Sequence, residues 1–465
     1  MLDARFPSHI VREYAVRHLD SISDSEIAEV LLQLVQALKF EPFHWSALAE
    51  FLLHRALASP FVIGQRLFWL LRSDMHVQGV SDRYGLLLTQ YLWRCSVHAE
   101  QLDQEYSVVQ SILDVSNRLK EYAKENRQSG LQEMLKALKL PPSFTLPLSS
   151  NVRCSRLRLD KCGYMDSAKL PLKLVFQNDD GAGADVCVFA KSGDDLRQDL
   201  LCLQMLKIMD SLWRKNSLNL ELSVYGCITT GQDCGFIEKV HAADTISHIE
   251  TAAGGASKAF ADDVLYSWLR SFHPTDVEFE AARERFWRST AGYCVMSWVL
   301  GLGDRHNDNL MLTQHGRFLH IDFGHFLGNV KYFLGMNRDK APFFFTKAMA
   351  FVIAGTTKDL FKSNGDVHER APDVFKTFVN CCLDAFIIVR NQHHLFINLF
   401  RMMLSCGMPE LEHASDLDPL RDAFFIDKTE SEARDEFRKL IQYEFFYYFV
   451  CVRCDLFAGF RWRRK

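Results

Sequence analysis

Hydrophobic residues follow more than one spacing along this 465-residue chain, and the order of the spacings constrains the fold more than any other feature. Residues 1–140 carry helical spacing, in which a capping-box pattern at Ser23 to Glu26 opens an apolar stripe from Ile27 to Leu38. Short apolar or alternating runs then predict strands around one helix, and from Ala281 onward the helical spacing returns. The pattern predicts an α+β protein with a stacked-helix region, a β-rich part and a helix-rich part.

Composition narrows the class of partner. The formal net charge of −4 gives the whole chain no attraction to nucleic acid or to anionic membranes, so we expect no nucleic-acid partner and only local attraction to lipid. No apolar run reaches the length of a membrane span, and the 13 cysteines follow no disulfide or zinc spacing. These observations predict a soluble, cytoplasmic protein.

The strongest chemical signal is a pair of neighbouring motifs at residues 303–309 and 321–325. Asn309 and Asp322, 13 residues apart, offer the oxygen ligands that Mg²⁺ prefers. Asp304 and His306 come just before the asparagine, where a hydroxyl group would lose its proton. Protein kinases place the histidine before the aspartate, whereas this chain has the reverse order. The motifs predict a Mg²⁺-dependent phosphoryl-transfer site of a different kinase branch.

Two lysines in the β-rich part are candidate phosphate ligands. Lys191 ends an apolar run, and a lysine in that position either reaches a bound nucleotide or is simply exposed at a strand end. Lys169 precedes another strand, in a loop that could cover the phosphates. The sequence has no GxGxxG loop of the protein-kinase type, so the phosphates would need this other cover.

These segments together resemble the phosphoinositide 3-kinases, from residue 3 to about residue 440. The resemblance rests on residues 193–199, 225–227, 303–309 and 320–325, and in the helical part on residues 34–39 and 71–76. It implies a bilobal kinase fold that holds ATP between a β-rich N-lobe and a helical C-lobe. The implied divisions are a helical domain at 1–140, a linker at 141–160, the N-lobe at 161–242, the C-lobe at 243–441 and an atypical tail at 442–465.

The resemblance also implies a role for each matching position. The ATP-binding residues would be the phosphate-binding Lys191 with nearby Asp199, the covering-loop residues Met165, Ser167 and Lys169, and the adenine-side residues Tyr225, Glu238 and Val240. The metal ligands would be Asn309 and Asp322. The catalytic residues would be Asp304, His306 and His325, and the match leaves open which of them removes the proton of the inositol 3-hydroxyl.

The segment after the second motif, residues 326–343, is expected to meet the lipid headgroup. Lys331, Arg338 and Lys340 supply cations there, each worth roughly 1 kcal/mol against an anionic surface. Together they would favour a multiply phosphorylated headgroup roughly a hundredfold. The resemblance implies class I, whose members have basic residues at these positions, although residues 338–343 also lean towards class II. We therefore expect phosphatidylinositol 4,5-bisphosphate as the substrate.

Both ends of the chain depart from the resembled family. The regions that usually precede the helical domain are expected to be missing, so a regulatory subunit would bind through them or through the helical domain. Residues 443–465 are rich in phenylalanine and end in a basic cluster, either a replacement membrane anchor or an aberrant translated end. We expect recruitment from the cytoplasm to the plasma membrane. The open alternatives are a class II or III lipid kinase, a related protein-serine kinase and a non-catalytic scaffold.

Overall fold

The structure, a computed structural model, describes residues 1–254, 261–329, 332–333, 336–337, 343–404 and 406–457, with the backbone alone for 332–333, 336–337 and 447–457. The chain divides into two compact units. The first unit contains Met1–Gln204, Tyr225–Lys239 and Leu399–Met408. The second unit contains Met205–Val224, Val240–Asn398 and Pro409–Lys465.

The first unit begins with a layer of helices. They are α1 (His9–Leu19), α2 (Asp24–Ala37), α3 (Ala47–Ala58), α4 (Gln65–Ser73), α5 (Ser81–Arg94), α6 (Val97–Leu119) and α7 (Arg127–Ala137). The predicted capping box at the start of α2 is confirmed, because Ser23 Oγ accepts the Glu26 N–H and a Glu26 carboxylate oxygen accepts the Ser23 N–H, each at 3.4 Å. The stripe that follows is buried at Ile27, Leu31, Leu34, Val35 and Leu38, and half-buried at Val30. The stacked-helix prediction is therefore confirmed.

Within the described residues, seven strands of the first unit form one antiparallel sheet. They are β1 (Phe144–Leu146), β2 (Ser149–Leu157), β3 (Gly163–Tyr164), β4 (Leu172–Asn178), β5 (Val186–Ser192), β6 (Cys227–Gly231) and β7 (Cys234–Glu238). Their spatial order is β1-β2-β4-β5-β7-β6, with β3 paired to β4. Helix α8 (Arg197–Lys215) follows β5 and continues into the second unit. The sheet matches the predicted β-rich part.

The segment predicted as a linker, residues 141–160, instead holds β1 and β2. A buried carboxylate on α6 explains why the segment is fixed: Glu105 Oε2 accepts hydrogen bonds of 2.7 Å from both Thr145 Oγ1 and Gln65 Nε2. Trp69 Nε1 donates to the other oxygen of the same carboxylate. The proline and serine residues of this segment mark where the helices end. The strands that follow are not a free linker, because Thr145 of β1 is hydrogen-bonded to the helical layer.

The second unit is mainly helical. Its helices are α9 (Ile246–Ala252), α10 (Val264–Arg270), α11 (Asp276–Val299), α12 (Lys347–Ala354), α13 (Asp373–Arg390), α14 (His393–Met402, which continues into the first unit), α15 (Asp418–Ala423) and α16 (Glu430–Phe457). Among the described residues, β8 (Ala243–Thr245), β9 (Leu310–Thr313) and β10 (Phe318–His320) form one antiparallel sheet, and β11 (Tyr332–Phe333) pairs with β12 (Met336–Asn337). Helix α11 is buried along most of its length against α13 and β10. The predicted helix-rich part is confirmed.

Two boundaries, one in each unit, differ from the sequence prediction. The sequence pattern predicts a strand near Leu222 to Thr229, but β6 begins only at Cys227. Leu220 and Leu222 instead pack over α11 at Gly292, where an added Cβ would lie 2.8 Å from Leu222. Helix α16 runs through the predicted limit of the tail at residue 442, because Phe445 is buried with its ring centroid 5.6 Å from that of Phe361. Residues 458–465 lie outside the described part of the chain. No helix among the described residues is long and apolar enough to cross a membrane.

Candidate active site

The loop that follows α11 is bonded to the loop that follows β10. Gly303 N–H donates to the carbonyl of His325 at 3.1 Å, and Leu327 N–H donates to the carbonyl of Leu300 at 2.7 Å. Gly301 has a φ of +54°, and a Cβ there would lie 2.5 Å from the backbone nitrogen of Gly328, so only glycine allows this approach. The two sequence motifs therefore form one continuous structure within the second unit.

Strand pairing brings the two candidate metal ligands together. In the hairpin of β9 and β10, His320 lies opposite Leu310, and the next N–H, that of Ile321, donates to the carbonyl of Asn309 at 2.9 Å. Asn309 is buried, and its Nδ2 donates to the carbonyl of Asp304 at 3.0 Å, so Oδ1 is the atom that the predicted metal site would use. Asp322 follows at the end of the hairpin with a φ of +58°, an uncommon conformation for a residue with a side chain.

Arg305 holds this arrangement in place, a role that sequence reasoning missed. Its guanidinium donates to the carbonyls of Gly303 at 2.8 Å and Ile321 at 2.9 Å, and also to that of Asp322. It lies over the ring of Phe323, 5.7 Å from the centroid. The sequence did offer a signal for this role, because Arg305 lies between two predicted catalytic residues. The several N–H groups of a guanidinium can donate to carbonyls of two adjacent loops at once.

The two candidate catalytic histidines have different partners. His306 has half of its side chain exposed, and its Nδ1 accepts the backbone N–H of Asp308 at 3.3 Å. His325 is more enclosed, and its Nδ1 lies 2.6 Å from Glu410 Oε1. Sequence reasoning did not identify Glu410, which comes 85 residues after His325 and becomes its neighbour only through tertiary structure.

The first unit contains most of the predicted nucleotide-binding residues. Lys191 lies on β5 opposite Gly235 of β7, and its Nζ donates to Asp194 Oδ2 at 2.9 Å. Lys169 Nζ donates to the carbonyl of Gly193, so both lysines bond to the turn after β5. Asp199 is buried in the first turn of α8.

The predicted covering loop is anchored at Pro171, just before β4. Met165 N–H donates to the carbonyl of Pro171 at 2.9 Å, and Ser167 N–H donates to the carbonyl of Met165 at 2.9 Å. The side chains of Met165, Ser167 and Lys169 are exposed. This is the surface position that a loop over phosphates would need.

The predicted adenine-side residues fall on both sides of the division between the units. Tyr225 is buried in the first unit, and Glu238 accepts the N–H of Gly226 through Oε2 at 2.7 Å. Val240 is half-buried and belongs to the second unit. One oxygen of the Glu238 carboxylate is thus engaged locally, by the backbone of the same unit.

The predicted lipid-binding residues Lys331, Arg338 and Lys340 lie outside the described residues.

The side chains near the two motifs indicate what kind of metal ion they could bind. In the part of the chain that the structure describes, no group of three or more histidine, cysteine, aspartate or glutamate side chains could hold a metal ion. Asn309 and Asp322 supply only part of an octahedral shell, so they fit an ion that arrives with phosphate and water oxygens rather than a resident ion.

Comparison with known proteins identifies the family to which these domains are similar. Residues 185–413 match the family model for phosphatidylinositol 3- and 4-kinases, and residues 1–104 match that for the phosphoinositide 3-kinase accessory (PIK) domain. Phosphatidylinositol 3-kinase 1 of Dictyostelium discoideum is 43% identical over 442 residues, which are 95% of this chain and 27% of that protein. The human phosphatidylinositol 4-phosphate 3-kinase C2 domain-containing subunit beta is 38% identical over 447 residues, 95% of this chain and 26% of that protein.

The chain spans about a quarter of the length of these curated relatives. The two matched regions coincide with the helical layer and with the elements that carry the two motifs. The chain therefore belongs to the phosphatidylinositol 3- and 4-kinase family, of which it carries the accessory helical domain and the kinase domain.

Proposed function

We propose that this chain is the catalytic part of a phosphoinositide 3-kinase, which transfers the γ-phosphoryl group of ATP to the inositol 3-hydroxyl of phosphatidylinositol 4,5-bisphosphate. The observation that carries the proposal is the hairpin of β9 and β10, which sets the Asn309 amide beside the Asp322 segment and bonds both to the Asp304 loop. Membership of a kinase family supports the use of ATP.

Phosphoryl transfer mainly requires neutralised phosphate charge and a positioned nucleophile. We propose that Asn309 Oδ1 and the Asp322 carboxylate hold Mg²⁺, which would neutralise phosphate charge when it arrives with the nucleotide. Lys191 and Lys169, each of which bonds to one residue of the turn after β5, are the lysines that we propose to bind the nucleotide phosphates. Asp304, His306 and His325 are the candidates for accepting the hydroxyl proton.

The choice of lipid rests on the sequence of the headgroup segment. Lys331, Arg338 and Lys340 provide cations that suit a bisphosphorylated headgroup. A second candidate substrate is phosphatidylinositol 4-phosphate, because the 38%-identical human relative is named for that lipid. We further propose that the protein acts from the cytoplasm at the plasma membrane, with a regulatory subunit bound to the helical domain or to regions that precede it.

A vesicle assay separates these possibilities. The chain is incubated with ATP and Mg²⁺ on vesicles that contain phosphatidylinositol, its 4-phosphate or its 4,5-bisphosphate, and the phosphorylated position of each product is identified. We expect the bisphosphate to be used best, and the Lys331→Glu, Arg338→Glu double variant to lose that preference while still phosphorylating unsubstituted phosphatidylinositol. Preferential use of the 4-phosphate would support the second candidate.

Two other outcomes would reject the proposal. If no lipid receives a phosphate at position 3 while the chain binds ATP normally, the lipid kinase activity is rejected. If Lys191→Ala retains every partner-dependent effect of the chain, a non-catalytic scaffold is supported instead.

A further inference from the structure

Glu410 joins the ring of His325 to the backbone that follows it. Its Oε1 lies 2.6 Å from His325 Nδ1, and its Oε2 accepts the backbone N–H of Phe326 at 2.9 Å. The side chain of Glu410 is 15% exposed and that of His325 is 29% exposed, so the pair is partly shielded from water. One oxygen of the carboxylate therefore contacts the last residue of the second motif, and the other contacts the residue directly after it.

The chemistry of the pair specifies which ring nitrogen carries the proton. A carboxylate only accepts hydrogen bonds, so the Nδ1 of His325 must be the donor. In the neutral ring, Nε2 is then the acceptor, which is the form needed to take a proton from a hydroxyl group. His306 has the opposite arrangement, because its Nδ1 accepts the N–H of Asp308 and the proton of its neutral ring is on Nε2.

We propose that Glu410 is a positioning residue for the phosphoryl-transfer site: it fixes the orientation and the tautomer of His325 so that Nε2 presents a lone pair. The tautomer follows from geometry alone, whereas its effect on turnover rests on the proposed kinase function. The same carboxylate holds the turn at Phe326, and the neighbouring backbone is bonded to the Asp304 loop through Gly303 N–H and the carbonyl of His325.

Glu410→Gln tests the tautomer directly. The glutamine carbonyl can still accept the Phe326 N–H, but its amide would face His325 Nδ1 with a donor, which turns Nδ1 into the acceptor. The full chain is labelled with ¹⁵N-histidine, and the signals of His325 among the 17 histidines are identified by their loss in His325→Ala. We expect Nδ1 to be protonated in the parent and Nε2 in Glu410→Gln, with Glu412→Gln, an exposed neighbour, as the unchanged control.

Kinetics separate this role from a structural one. A general base contributes roughly 10²–10⁴-fold to a rate, so we expect Glu410→Gln to lower kcat about a hundredfold with the KM for ATP unchanged. In the His325→Ala background the same substitution should have no further effect, because Glu410 acts through the missing ring. A similar loss in that background would overturn the proposal and indicate that the carboxylate acts only through Phe326.

The two readouts also distinguish the possible failures. If the parent makes no 3-phosphorylated lipid, the proposed function fails, and the ring signals alone decide the role of Glu410. An unchanged tautomer in Glu410→Gln, with a thermal unfolding midpoint equal to that of the parent, would overturn the inference even in a fully active enzyme.

Discussion

Lys120 near the end of α6 donates a hydrogen bond of 2.8 Å to the backbone carbonyl of Ser192, the last residue of β5. The hydroxyl of Ser192 donates to Asn117 Oδ1 at 2.7 Å, so two residues of the helical layer hold one residue of the sheet. Ser192 directly follows Lys191. The accessory helices thus fix the turn beside the proposed phosphate-binding lysine.

Removing this contact should weaken ATP use. We expect Lys120→Ala to raise the KM for ATP about fivefold, because a lost hydrogen bond of about 1 kcal/mol frees the turn after Lys191. Arg118→Ala is the matched control, since Arg118 lies on the same helix with its side chain mainly in solvent. Steady-state kinetics at saturating lipid measure both variants, and equal KM values for the two would refute the proposed support.

The buried carboxylate of Glu105 should stabilise the first unit. Glu105→Ala leaves the donors Gln65, Trp69 and Thr145 without their acceptor, which costs about 3 kcal/mol. We expect a lower midpoint of thermal unfolding for the first unit. Glu100→Ala, an exposed position on the same helix, should change the free energy of unfolding by less than about 0.5 kcal/mol. Equal midpoints for the two variants would show that the network contributes little.

Glu444 on α16 should make stability depend on pH. Burial raises the pKa of this carboxyl to about 8, against a partial opposing effect from a hydrogen bond with the backbone of Phe343. Within the described part of the chain, its buried Oε1 has no hydrogen-bond partner. Because the folded state holds the proton that the unfolded state loses near its ordinary pKa of 4.5, the contribution of Glu444 to stability is complete below pH 4.5 and is lost as pH rises through 8.

The substitution Glu444→Gln tests this linkage. The amide is neutral at every pH, so we expect the decline in unfolding midpoint between pH 5 and pH 9 to be smaller in the variant, and the variant to exceed the parent at pH 8. Tyr443→Phe, at an exposed position beside it, serves as the control. If the unfolding midpoint of Glu444→Gln declines as much as that of the parent, another titrating group causes the decline.

Much of the fold was readable from local sequence because the responsible interactions are local. The capping box at Ser23 and Glu26 involves residues three apart, and the stripe from Ile27 repeats with the helical period, so both were predicted and found. Local composition failed for residues 141–160, whose strands depend on hydrogen bonds to Glu105 on a preceding helix. It also failed at residue 442, where the burial of Phe445 continues α16.

The residues of the candidate site also fall into those that local sequence predicts and those that depend on tertiary structure. Asn309 and Asp322 were predicted from residue type and spacing, and their adjacency in the structure follows from a short hairpin. Glu410 carried no local signal, since an isolated glutamate after a proline has no motif and its partner is distant in the chain.

The proposed lipid kinase activity and its metal site are tested together by comparing the parent chain with Asp322→Asn. Both are incubated with ATP, Mg²⁺ and vesicles that contain phosphatidylinositol 4,5-bisphosphate, and nucleotide binding is measured in parallel. We expect 3-phosphorylated product from the parent and at least about a hundredfold lower turnover from Asp322→Asn, because a charge that holds the metal has been removed. Full turnover in Asp322→Asn would contradict the assigned role of this carboxylate, and absence of product from a parent that binds ATP would contradict the proposed activity.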